Sequence, residues 1–196
     1  MKYIRRFLSF VASRMVIISI VVALLILAFY LAMNTANIYI LLNDGMTART
    51  SVILTRQNAD ELPNYFTNDF LLSDETLNIG LSDASPYIDY NITDFNYKLS
   101  LEWVWAWPWE NSATATIVER VPKISGSVLK EKSDLVKDGT LSATPPAWYG
   151  GRYTVKLVRL EGSWKIDKLI QTQLIIEEPT AEPAPASPAP ASPAPQ

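Results

Sequence analysis

The chain has no cysteine and no histidine among its 196 residues, and these two absences exclude more chemistry than any motif adds. Without a thiol or an imidazole there is no Cys or His nucleophile, no proton shuttle near neutrality and no ligand set for zinc or haem. Disulfides are excluded too, so the fold must stand on its core alone, as an extracytoplasmic bacterial domain with sufficient core can. Carboxylates and tyrosine are the titratable groups left for chemistry. Acidic residues are missing from the first 36 positions, which hold Lys2, Arg5, Arg6 and Arg14. Of 17 basic residues these four leave 13 against 20 acidic ones, so the rest of the chain carries about −7. That sign repels phosphate backbones and no basic stripe interrupts it, so nucleic acid is not an expected partner. No metal and no cofactor is expected either.

Charge is also absent from Met15 to Met33, a run of Ile, Val, Leu and Ala with hydroxyls only at Ser19 and Tyr30. As a helix, residues 15–33 would extend about 28 Å, close to the roughly 30 Å hydrocarbon core of a bilayer. Asn34-Thr35-Ala36-Asn37, which follows, is a poor match to a signal-peptidase site, so the run reads as a retained anchor. All nearby positive charge precedes it, and the first charged residue after it is Asp44. The expectation is a basic cytoplasmic segment at 1–14, a transmembrane helix at 15–33 and an extracytoplasmic domain at 34–176 in the cytoplasmic membrane. A Pro/Ala/Ser tail at 177–196 has no large apolar residue to bury beyond the strands and reads as a disordered, extended spacer.

Within the domain, Ile38, Leu41, Leu42, Met46, Val52 and Ile53 recur at helical spacing and predict a helix from about 36 to 57, weakened at Gly45. A second helix is expected near an Asp60 N-cap, with Leu62, Tyr65, Phe66, Phe70 and Leu71 on its buried side. Ser73 to Pro86 reads as a connection with a short helix. Then Phe95, Tyr97, Leu99, Leu101, Trp103, Trp105, Trp107 and Trp109 alternate with small or polar residues. That period of two marks a strand from about 87 to 107, long enough to need a bend or bulge. A second strand is expected at 112–129, then a polar insertion at 130–146. A closing hairpin turns at Glu161-Gly162-Ser163, with Tyr153, Val155 and Leu157 before it and Trp164 and Ile166 after. The fold class is α+β, two or three helices on one face of a curved four-stranded antiparallel sheet.

Leu160-Glu161-Gly162-Ser163-Trp164-Lys165-Ile166-Asp167 resembles the closing hairpin of the nuclear-transport-factor-two-like superfamily, and Leu62 to Leu72 resembles its second helix. The layout, an anchored outward-facing domain, is similar to scaffold subunits of type IV secretion and conjugation machines and to sporulation channel proteins. The resemblance implies a scaffold working through contacts with envelope proteins or with its own copies. The alternative is a domain holding a lipid or wall saccharide in an aromatic-lined pocket. Trp103, Trp105, Trp107 and Trp109 are the interaction candidates, with Trp103 and Trp105 also expected to fill the concave face of the sheet against the first helix. Trp107 and Trp109, flanking Pro108 at the turn, would mark a partner surface, a sugar platform or the membrane interface. Some members of the superfamily perform proton transfer with Asp and Tyr, which makes Asp89, Tyr90, Asp94, Tyr97 and Trp164 the pocket candidates. No catalytic residue is assigned, because a shared fold does not carry activity with it.

Overall fold

The computed structural model describes residues 2–175, with side chains from residue 14 onward. The Pro/Ala/Ser tail lies outside the described residues.

Helix α1 (Lys2–Thr55) runs unbroken from the basic segment through the apolar run into the folded domain. It is long and apolar enough to cross a membrane, and its residues from Met15 to Met33 carry their side chains exposed but for a half-buried Leu27. Coverage begins at Asn34, and from there Ile38, Leu42, Met46, Ile53 and Leu54 are buried in the core. Gly45 does not break the helix, because its missing side chain is where the chain packs back. A β-carbon there would lie 2.9 Å from Tyr65 Cβ and 3.3 Å from Ile166 Cδ1.

The expected second helix is two short ones, α2 (Leu62–Tyr65) and α3 (Asn68–Ser73). The break comes from the sheet: Thr67 N donates to Ile166 O, and Phe66 forms a parallel bridge with Ile166. Thr67 then caps α3 by accepting from Phe70 N, while Asp60, the expected cap, instead pairs with Asn58 and leaves Glu61 at the N-cap of α2. Asp74 caps α4 (Glu75–Leu81) by accepting from Leu77 N.

Four strands follow, β1 (Tyr90–Ala106), β2 (Ser112–Val128), β3 (Gly150–Leu160) and β4 (Ser163–Ile175), paired antiparallel in chain order. Between β2 and β3 the polar insertion forms a 3-10 turn at Lys130–Lys132 and α5 (Ser133–Lys137). The β3–β4 turn is a two-residue loop with positive φ at both Glu161 and Gly162, and it pairs Leu160 with Ser163. The sheet is open and does not curl, which corrects the curved sheet expected. α1 contacts both edge strands, β1 and β4, and α2 and α3 also rest on β4.

A second correction concerns the tryptophan ladder. The β1–β2 register slips between Leu101 and Trp103, where one extra β1 residue is accommodated. Leu101 pairs with the buried Ile117, but Trp103 pairs with Thr116 and Trp105 with Thr114. The bulge exchanges the two faces of the strand. Beyond it Val104 and Ala106 take the core side, and Trp103 and Trp105 stand on the outer face, 50% and 51% exposed.

The strands run along α1. Arg159, whose N donates to Asn111 O, also donates to Asn34, while Glu119 accepts from Thr50. From Asn111 to Glu119 a strand covers about 26 Å. From Asn34 to Thr50 the helix covers about 24 Å. The contacts thus follow the same order along α1 and along β2, from the end near Asn34 to the end near Thr50.

Candidate functional site

Two positions in phase with the core carry charge. Arg49 continues the α1 stripe of Leu42, Met46 and Ile53, and Glu119 continues the β2 alternation of Ala113, Ala115 and Ile117. Folding therefore carries both into the interior. Arg49 meets Asp74 in a two-pronged pair, Nε to Oδ2 at 2.5 Å and Nη2 to Oδ1 at 2.9 Å, with side chains only 4% and 8% exposed. Glu119 is fully buried; its Oε1 accepts from Thr50 Oγ1 at 3.0 Å. Its Oε2 and the Tyr97 Oη are buried without a hydrogen-bond partner among the described residues.

Burial raises the Glu119 carboxyl above the ordinary carboxylate value, against the opposing pull of Arg49's charge and the Thr50 hydrogen bond. Burial opposes the charge on Arg49, but the Asp74 carboxylate outweighs it and the guanidinium is held more firmly protonated. Burial also raises Tyr97 strongly and takes Tyr153 to about 12, both reinforced by Glu119. The interior thus holds one ion pair beside a carboxyl whose charged form burial disfavours.

The Arg49–Asp74 pair forms part of the wall of a cleft of about 1060 Å³ between the short helices and the β3–β4 side of the sheet. Phe70, Tyr87, Trp148, Tyr149 and Tyr153 supply its aromatic walls. Four carboxylates, Asp69, Asp74, Glu75 and Asp167, face only Arg49 and Lys168 as cations. Trp148 Nε1 is buried with no partner among the described residues. Among those residues no three carboxylates gather closely enough to hold a metal ion.

Of the pocket candidates, Tyr97 alone joins this cluster, and the cleft lining includes none of the five. Asp89 is half-buried and pairs with Lys132 at 3.4 Å. Tyr90 donates to Ser142 O at 3.0 Å, tying the insertion to the sheet. Asp94 follows another register slip and is exposed. Trp164 is a core residue; its indole lies 4.4 Å from the Arg159 guanidinium and donates to Asn34 Oδ1 at 3.5 Å. The four ladder tryptophans form one run of ring contacts. Trp103 stacks on Trp105 at 6.3 Å, Trp105 meets Trp107 edge-on at 5.2 Å, and Trp107 stacks on Trp109 at 5.0 Å.

Sequence reasoning missed Arg49, Asp74, Glu119 and Trp148. For Arg49 and Glu119 the signal was present as a charged residue at a core phase. For Asp74 and Trp148 it was not, since each reaches the cleft through a connection. No protein-family model matches this chain, and no curated protein matches it.

Proposed function

We propose that this is a single-pass membrane protein whose outer domain binds a neutral wall saccharide in the aromatic cleft. The observation that carries the reading is the cleft itself. Its size suits a small ligand, and its tyrosines and tryptophan offer ring faces on which the C–H faces of a sugar stack. Asp69, Glu75, Asp167 and Gln171 supply acceptors and donors for hydroxyls. Four carboxylates against two cations disfavour phosphate and other anions. A lipid fits less well, because Arg49 stands sixteen residues past Met33, about 24 Å along the helix from the end of the apolar run.

The anchor reading draws support from the continuity of α1. Cleavage after the apolar run would cut the helix where Asn34 and Ile38 are already buried in the core. Lys2, Arg5, Arg6 and Arg14 before the run orient the chain with its N-terminus in the cytoplasm. The order of helices and strands supports a relation to the nuclear-transport-factor-two-like superfamily, and the uncurled sheet departs from it.

The test is titration of the full chain in lipid nanodiscs with neutral cell-wall oligosaccharides, followed by calorimetry. Saturable binding that Trp148→Ala abolishes and Trp103→Ala leaves intact is the expected result; no saturable binding to any of them overturns it. A second reading, assembly with an envelope protein or another copy, is favoured by the exposed Trp103–Trp105 stack on an edge strand. Photo-crosslinkers at positions 103 and 105 in intact cells would capture that partner, and a clean negative there removes the reading.

A further inference from the structure

The turn between β1 and β2 reaches the apolar part of α1. Tyr30 Oη donates to Pro108 O at 3.1 Å, joining the hairpin tip to a residue inside the charge-free run. Tyr30 lies three positions before Met33, so its backbone is about 4.5 Å inside the end of that run. Pro108 is flanked by Trp107 and Trp109, which stack on each other; Trp109 is 73% exposed. The neighbouring turn lies at the same end, because Arg159 and Trp164 on either side of it both bond Asn34. That turn presents an exposed Leu160. The end of the sheet nearest the apolar run therefore displays two indoles and a leucine beside the exposed carboxylates of Glu110 and Glu161, and it is tied to α1 by Tyr30 from the helix and by Arg159 and Trp164 from the sheet.

We propose that the β1–β2 hairpin tip is a second membrane contact, with Trp107 and Trp109 seated in the headgroup layer of the outer leaflet. This rests on the reading of residues 15–33 as a membrane span. Given that span, the Tyr30–Pro108 hydrogen bond sets the depth of the tip at the boundary between hydrocarbon and headgroups. Indoles are the side chains that favour this layer, with an apolar body and one N–H. The layer is about 5–8 Å thick on each side of the core. Contacts with α1 progress away from the apolar run as the strands leave the tip, and the four residues from Trp107 to Trp103 extend about 13 Å in that direction. Trp103 thus clears the lipid, and the ladder divides into a lower, lipid-seated pair and an upper, aqueous residue. Two contacts with the bilayer, one helix and one hairpin, fix the tilt of the domain and hold the cleft away from the surface.

The absence of native cysteine permits a test with two independent reporters. The full chain carrying Val22→Cys labelled with an environment-sensitive fluorophore is reconstituted in phosphatidylcholine vesicles, with and without lipids brominated near the glycerol end of the acyl chain. The Val22 probe reports the span, and tryptophan quenching reports the hairpin. The expected result is a bilayer-embedded probe with tryptophan emission reduced by about a third, the share of two indoles in six. The double variant Trp107→Phe with Trp109→Phe should lose that quenching, and Trp103→Phe should retain it. An embedded probe with unquenched tryptophans overturns the hairpin contact and leaves the span standing. Quenching that survives the double variant overturns it as well. So does protection from aqueous acrylamide that rises with the protein-to-lipid ratio without bromine quenching, which would assign the indoles to a second copy of the chain. A Val22 probe in water overturns the span and the hairpin contact with it.

Discussion

Removing Asp74 should destabilise the domain more than any single polar change elsewhere in it, and the cost can be divided. The carboxylate does two jobs: it holds the buried Arg49 guanidinium through two hydrogen bonds, and it caps α4 by accepting from Leu77 N at 3.4 Å. Asp74→Ala loses both. Stranding a buried guanidinium costs about 3–5 kcal/mol. The lost cap adds about 1 kcal/mol. Asp74→Ser keeps a capping oxygen and loses only the pair, so it should be milder by that last amount. Arg49→Met should cost less than Asp74→Ser, because the abandoned carboxylate still accepts from Leu77 N at the start of α4, whereas Asp74→Ser leaves a buried guanidinium without its carboxylate. Joining Arg49→Met to Asp74→Ser removes both charges and should recover most of the loss, to within about 1–2 kcal/mol of wild type. The assay is urea unfolding of the full chain in detergent micelles, followed by tryptophan emission and circular dichroism. A cost below about 1 kcal/mol for Asp74→Ser, or a double variant no better than the single one, would refute the claim that this pair is buried and mutually dependent.

Two further outcomes follow from the same interior. Glu119 is held above its ordinary value of 4.5 by burial, so above that pH the unfolded chain releases a proton that the folded one keeps. Stability should therefore fall as pH rises from 4.5 until the folded group itself ionises. The slope is limited to about 1.4 kcal/mol per pH unit. Glu119→Gln should flatten that part of the curve in urea midpoints measured across pH, and an unchanged slope would show that the carboxyl is not the source. At Gly45, whose β-carbon would press on Tyr65 Cβ at 2.9 Å, Gly45→Leu should lower the melting temperature despite better helix propensity. Overpacking there costs about 1–3 kcal/mol, against about 1 kcal/mol gained by replacing glycine in a helix.

Much of the architecture was legible because it rests on local periodicity. The stripe from Ile38 to Ile53 places α1 against the sheet, the alternation of Tyr153, Val155 and Leu157 with Trp164 and Ile166 marks the closing hairpin, and Glu161-Gly162 marks its turn. What escaped was set by contacts between distant residues. The helix expected through Leu71 breaks at Phe66 and Thr67 because β4 offers Ile166 O as a partner; neither Pro nor Gly announces it there. The bulge before Trp103 has no glycine to mark it either, and one extra residue was enough to turn two tryptophans from core to surface. Parity arguments along a long strand hold only as far as the first bulge. The site was half legible. Arg49 and Glu119 lie in phase with buried neighbours, and that is a signal; Trp148 enters the cleft from the end of the polar insertion, where no periodicity exists to be read.

The claim on which the rest depends is that residues 15–33 pin the chain in a bilayer and that α1 carries the domain out of the cytoplasm. Labelling of intact cells with a membrane-impermeant maleimide tests it directly, using a cysteine-free chain into which the exposed Ser127 is changed to cysteine. The account predicts that Ser127→Cys is labelled in intact cells and that a cysteine at position 2 is labelled only after the membrane is opened. Labelling in the reverse order, or recovery of the chain in the soluble fraction, would contradict it.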